Sequence, residues 1–115
     1  MVAERADALF VVSSAILNRD RAQIIERARH YRLPAMYEWR EQAEAGGLMS
    51  YGTSIVGLSR RVAAYVGRIF RGLSPSDLPV EQPTKFELVI NLKTAKAIGL
   101  TIPQSILVRA DEIIQ

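Results

Sequence analysis

Asp7-Ala8-Leu9-Phe10-Val11-Val12, halted by Ser13-Ser14, is the stretch whose reading decides the fold. The run is rich in Val and does not alternate with polar residues, the pattern of a strand buried on both faces in a parallel sheet covered by helices. Beyond it the period lengthens. Leu17, Ile24, Ala28 and Tyr31 fall on one face of a helix over 19–31, with Ser14 or Asn18 as its cap. Leu33-Pro34 breaks that helix, and Ala35-Met36-Tyr37 reads as a second strand. Trp39 to Ala45 is a short helix with Trp39 and Ala43 stacked four apart inside the domain, stopped by Gly46-Gly47, and Leu48 to Tyr51 is a third strand. Strand, helix, strand, helix, strand makes two right-handed βαβ units, and the fold class follows: α/β, three-layer, a mostly parallel sheet flanked by helices.

The longest helix is expected from Thr53 to Arg71. Ile55, Ser59, Val62, Val66 and Ile69 form a stripe, widened by Val56, Ala63 and Phe70, and Arg61, Ala64, Arg68 and Arg71 lie opposite. Gly72 ends it, and Ser74 to Pro79 is a turn-rich connector. Val80 to Gln82 and Phe86 to Ile90 read as strands, the second with Phe86, Leu88 and Ile90 on one face. Asn91 caps a helix from Leu92 to Ile98, Gly99 stops it, and Pro103 opens a last helix running through Ile114.

A length of 115 residues is one domain by the usual measure, and 49% apolar with 23% charged residues is a globular composition. No apolar run approaches the roughly 18 residues that a membrane span needs. The amino terminus, Met1-Val2-Ala3-Glu4-Arg5-Ala6-Asp7, is polar and acidic where a secretory signal would be basic and then apolar. The expectation is a cytoplasmic chain, or one whose export signal lies elsewhere. The absence of Cys removes disulfides, thiol catalysis and thiolate metal sites. Twelve of the 15 basic residues are Arg, gathered between Arg19 and Arg32 and between Arg60 and Arg71. Such segments suit phosphates, but here they alternate with apolar positions at helical spacing and no aromatic is interleaved for base stacking. Solvated faces of amphipathic helices are the better reading, with no nucleic-acid partner.

Catalytic chemistry is hard to find. His30 is the only histidine, so a histidine-rich metal site is excluded and a Ser-His-acid triad has one place to form, near the end of an Arg-rich helix where a capping role fits better. Glu38, Glu41 and Glu44 recur three apart as a solvated stripe. Gly46-Gly47 and Tyr51-Gly52 match neither nucleotide-loop pattern. The expectation is no enzyme, no metal and no cofactor. What remains are the carboxyl ends of the strands, where open parallel sheets bind ligands: Ser13-Ser14, Tyr37-Glu38-Trp39 and Ser50-Tyr51-Gly52. The serine hydroxyls and the first helix are candidates to hold a carboxylate, Glu38 an amine, and Tyr37 or Tyr51 an apolar or aromatic group; Trp39 reads instead as a packing residue. Ser13, Tyr37 and Tyr51 are expected on one face.

Two stretches carry a resemblance: Gly46-Gly47-Leu48-Met49-Ser50-Tyr51-Gly52, and the segment from Pro79 to Gly99 that contains Pro83-Thr84-Lys85-Phe86-Glu87-Leu88-Val89-Ile90-Asn91. From Ala6 to Ile114 the chain resembles the carboxyl-terminal part of ABC-transporter substrate-binding proteins of the tryptophan/tyrosine-uptake type, which have a type I periplasmic-binding-protein fold. The resemblance implies that 1–115 is a single carboxyl-terminal-lobe-like domain, with 53–72 as a long crossing helix, 80–115 as the return segment, and the amino-terminal lobe absent. It implies a periplasmic solute-binding component of an ABC importer that holds an amino acid or similar small organic solute between two lobes. Its ligand-binding residues would be Ser13, Ser14, Tyr37, Glu38, Tyr51 and Gly52, and its partner an ABC permease. With one lobe only, the apolar stripe of the long helix predicts a homo-oligomer. The alternatives are the effector-binding domain of a transcriptional regulator and a small flavodoxin-like enzyme.

Overall fold

A computed structural model describes residues 5–115; the Met1–Glu4 part of the polar amino terminus lies outside the described residues. In chain order the elements are β1 (Leu9–Val11), α1 (Ala15–Arg19), α2 (Arg21–His30), β2 (Ala35–Tyr37), α3 (Arg40–Glu44), β3 (Met49–Thr53) and α4 (Ile55–Phe70). A 3₁₀ turn (Pro75–Asp77) follows, then β4 (Phe86–Asn91), α5 (Leu92–Ile98), α6 (Gln104–Leu107) and β5 (Glu112–Ile114). The strands form one sheet in the order β1-β2-β3-β4-β5. β1, β2 and β3 run parallel, β4 is antiparallel to β3, and β5 is parallel to β4. This is the α/β class expected, a mostly parallel sheet flanked by helices.

Local chemistry sets most element ends. The Ser14, Ser54 and Asn91 side chains accept the Leu17, Gly57 and Thr94 backbone N–H groups at 3.2, 3.2 and 3.1 Å, so each satisfies one of the orphan donors at the start of α1, α4 and α5. Gly99, at φ 76°, is the left-handed stop of α5. Asn91 also donates from its buried amide to the Ala43 carbonyl at 2.9 Å, tying α3 to β4.

The core has two parts. Val11, Ile25, Ala28, Ala35 and Tyr37 cluster where α2 covers β1 and β2, and Leu48, Ile90, Ala95, Ile98 and Ile102 cluster around α5. Each Val, Leu or Ile side chain among them contributes about 1.5–3 kcal/mol by leaving water.

Five expectations need correction. β1 is an edge strand with Phe10 63% exposed, so it is not buried on both faces. The first helix divides at Asp20, which ends α1 and begins α2. The division breaks the phase of the expected stripe: Ile25 and Ala28 are buried, while Leu17 and Tyr31 are exposed. Trp39 precedes α3 instead of lying within it, and Gln42 accepts its backbone N–H at 3.1 Å. Val80–Gln82 is not a strand: it lies between Pro79 and Pro83, neither of which has an N–H for a ladder, and Val80 is 99% exposed. The last helix stops at Leu107. Asp111 accepts the Leu88 N–H through its carboxylate and donates its own N–H to the Leu88 carbonyl, both at 2.8 Å, which turns Ile113 and Ile114 into a strand beside β4.

α4 stands apart. None of its residues is buried, and it projects from the sheet with the segment after it. The Tyr65 hydroxyl donates to the Pro79 carbonyl at 2.7 Å and Arg61 pairs with Glu81 at 3.4 Å, so the chain returns alongside the helix. The radius of gyration is therefore 17.5 Å, against about 13 Å for a compact chain of this length.

Candidate functional site

The register Val11↔Tyr37 and Tyr37↔Ser50 brings the carboxyl ends of the three parallel strands to one edge of the sheet. Two hydrogen bonds link the first two ends. The Ser13 N–H donates to a Glu38 carboxylate oxygen at 3.0 Å, and the Trp39 indole N–H donates to the Ser13 hydroxyl at 2.5 Å. The third end is held by close approach. A Cβ at Gly52 would strike the Glu38 carbonyl, so only glycine lets β3 come this near to the end of β2.

Above this edge lies a groove of about 610 Å³. Ser13, Ser14, Ala15 and Asn18 line it from one side, Ile55, Leu58, Ser59, Val62 and Ala63 of α4 line it from the other, and Trp39 adjoins both. No charged side chain is among these residues. The volume is that of a small-molecule site, and the lining, apolar with a few hydroxyl and amide groups, is the usual chemistry of one.

The six residues singled out from sequence fall into three situations. Ser13 and Ser14 line the groove, although the Ser14 hydroxyl is already occupied as the α1 cap. Glu38 and Gly52 are not among the lining residues: Glu38 has one oxygen taken by the Ser13 N–H, and Gly52 packs on the Glu38 backbone. Tyr37 and Tyr51 do not share a face. Tyr37 is paired with Ser50, and side chains alternate along a strand, so Tyr51 points the opposite way. Tyr37 is 1% exposed within the core, and burial pushes its phenol up to about 12. Its ring is thus not available to stack on a solute. Tyr51 is half exposed and stacks on Phe86 with ring centroids 5.6 Å apart.

The groove also contains residues that the sequence did not point to. Ile55 and Val62 read only as part of a stripe awaiting burial, Leu58 lies outside that stripe, and only the placement of α4 over the strand ends makes the three a wall. The four-residue spacing of Trp39 and Ala43 suggests that they pack together, yet Ala43 is fully buried while Trp39 turns its N–H to Ser13. The signal was its place directly after β2, at a strand end. Among the described residues no group of His, Cys, Asp and Glu is arranged to hold a metal ion, and no helix is long and apolar enough to cross a membrane.

A family model for ABC transporter substrate binding proteins matches residues 1–114. Two crystal structures share the fold closely. A conserved domain protein from Vibrio cholerae biovar El Tor aligns over 97% of this chain with a TM-score of 0.90 and 27% identity. The ABC domain from Streptococcus pneumonia, in complex with L-Trp, aligns over 98% with a TM-score of 0.88 and 25% identity. A ligand-free, open substrate binding protein with adhesive properties from Clostridium difficile shares the fold at a TM-score of 0.64 and 20% identity. The chain spans 38% of the length of each of the first two and 37% of the third. A comparison with curated protein sequences returned no match.

Proposed function

The chain belongs to the ABC transporter substrate-binding protein family, and from that premise we propose that it is part of the solute-binding component of an ABC importer, delivering an amino acid or similar small organic solute to a permease. The observation that carries the reading is the uncharged groove of about 610 Å³ between the strand ends and α4. The L-Trp held by the Streptococcus pneumonia structure supports an amino-acid ligand, as in the tryptophan/tyrosine-uptake type. In this reading Ser13 and Ser14 border the solute, Glu38, Tyr51 and Gly52 stand at the neighbouring strand ends outside the groove lining, and the chain contributes the carboxyl-terminal lobe of a type I periplasmic-binding-protein fold, acting in the periplasm.

The β3–β4 ladder supports a hinge. Its last pair is Thr53↔Phe86, so the chain leaves the sheet into α4 and re-enters it at the same point. Residues 53–72 then cross to the other lobe and 80–115 return, and a solute bridging both lobes favours the closed arrangement by its differential affinity. Taken alone, with the apolar stripe of α4 uncovered, the chain self-associates through that helix.

Thermal unfolding with each amino acid in turn tests the proposal. A solute at 100 times its Kd adds about 2.7 kcal/mol to the stability of the form that binds it. A cognate solute raises the unfolding temperature in a saturable way, and the increment shrinks when Ser13 is replaced by Ala. A flat response across amino acids and related small solutes, measured with the second lobe present to complete the cleft, would sink the reading.

A further inference from the structure

We infer that Trp39 is a specificity-determining residue of the groove, presenting its indole ring to an uncharged, apolar or planar part of the solute. The inference rests on the reading of the groove as the solute site. Three observations carry it. Trp39 adjoins the groove while spending its one polar atom, the indole N–H, on the Ser13 hydroxyl, so the part left to meet a ligand is the ring. That bond spans two strand ends, and Ser13 is itself fixed by the Glu38 carboxylate on its backbone N–H. The ring is therefore oriented before any ligand arrives, which spares the cost of ordering it on binding. Opposite stand Ile55, Leu58 and Val62, and no lining side chain carries a charge that would compensate a buried ionic group. A solute lying here puts its apolar or flat portion between the indole and α4. In this scheme Ser13 and Glu38 are positioning residues for Trp39. Glu38 accordingly acts first as a brace, and not as a free receptor for an amine.

Trp39 is the only tryptophan in the chain, so its fluorescence reports on the site without engineering. The full chain is titrated with L-phenylalanine, L-leucine, L-glutamate and L-arginine, with calorimetry in parallel. The expected result is saturable binding of phenylalanine and leucine with a shift in Trp39 emission, and binding of glutamate and arginine at least about tenfold weaker, a difference of 1.4 kcal/mol. Trp39→Ala weakens the bound solute by about tenfold or more and Trp39→Phe by much less, as for truncation of an aromatic anchor against its conservative replacement. Ser13→Ala moves the emission of the ligand-free chain, and Ser13→Thr, which keeps the acceptor, restores it. Far-ultraviolet circular dichroism identifies any variant that fails to fold; the wild-type titration does not depend on the variants. Calorimetric binding with unchanged emission, or glutamate and arginine binding as tightly as phenylalanine, overturns the role of Trp39 and leaves the solute-binding reading standing. No heat with any solute, when the titration is repeated with the second lobe present, overturns both.

Discussion

The sheet body and the projecting arm are built from the same kind of sequence and end in opposite states. In the body, Val89 and Ile90 of β4 are 1% and 0% exposed. In the arm, Val62, Val66 and Ile69 of α4 repeat at helical spacing and are 63%, 42% and 39% exposed. Apolar periodicity therefore specifies which face seeks burial and says nothing of whether the chain itself supplies the cover. The sharpest test of the difference is truncation on both sides of it. Ile90→Ala is expected to cost about 2–5 kcal/mol, the range for a buried aliphatic residue that leaves a cavity, whereas Val66→Ala stays within about 0.5 kcal/mol, as for an exposed position. Urea denaturation monitored by circular dichroism gives both values. A loss at Val66 comparable to that at Ile90 would mean that the arm is covered in solution, and concentration dependence of that loss would identify the cover as a second copy.

Glycine divides the two regions by sign. At Gly47 a Cβ would lie 2.7 Å from the Tyr37 ring and from the Gln42 carbonyl, so the core closes only because that atom is missing. Gly47→Ala should destabilise the chain by about 1–3 kcal/mol, the cost of overpacking. Gly67, inside α4, has only the end of the Arg71 side chain nearby, at 3.4 Å. Gly67→Ala should stabilise by about 0.5–1 kcal/mol through lower backbone entropy in the unfolded chain and better helix propensity. Melting temperatures of the pair moving in opposite directions sharpen the comparison; a loss at both would show that the arm, too, is tightly covered.

The same division explains what was legible in the sequence. Asn91 and Gly99 mark helix ends through side-chain or backbone chemistry confined to a few residues, and both are readable as such; Ser14 is one of two cap candidates for a helix from Arg19 and instead caps the separate α1 before it. β5 is not readable, because its cause is Asp111 bonding to Leu88, 23 positions away. The strand ends that border the groove could be located from the alternation of strand and helix. Which side chains turn into it could not, since that depends on register: the pairing of Tyr37 with Ser50 sends Tyr37 and Tyr51 to opposite faces, and the bond from Trp39 crosses 26 positions to Ser13.

Two tyrosines provide the smallest and most selective contrast. Tyr65, on the arm, donates its hydroxyl to the Pro79 carbonyl in an exposed setting, so Tyr65→Phe removes a made hydrogen bond and should cost a little stability. Tyr37, in the body, has a buried hydroxyl with no hydrogen-bond partner among the described residues, so Tyr37→Phe removes an unsatisfied group and should be neutral or stabilising by up to about 1 kcal/mol. Alkaline titration separates them further. Burial raises the Tyr37 phenol from 10.0 to about 12, because the low-dielectric core disfavours the phenolate. The folded chain thus keeps this proton where the unfolded chain has released it. The contribution of Tyr37 is fully present below pH 10 and is lost as pH rises through about 12. Denaturation midpoints measured between those limits should fall with pH for the wild type and fall less steeply for Tyr37→Phe. Tyrosinate absorbance should show a late-ionising phase that Tyr37→Phe removes. If Tyr37→Phe leaves that phase in place and the slope unchanged, the Tyr37 hydroxyl reaches water, and the body is more open at this strand end than its packing indicates.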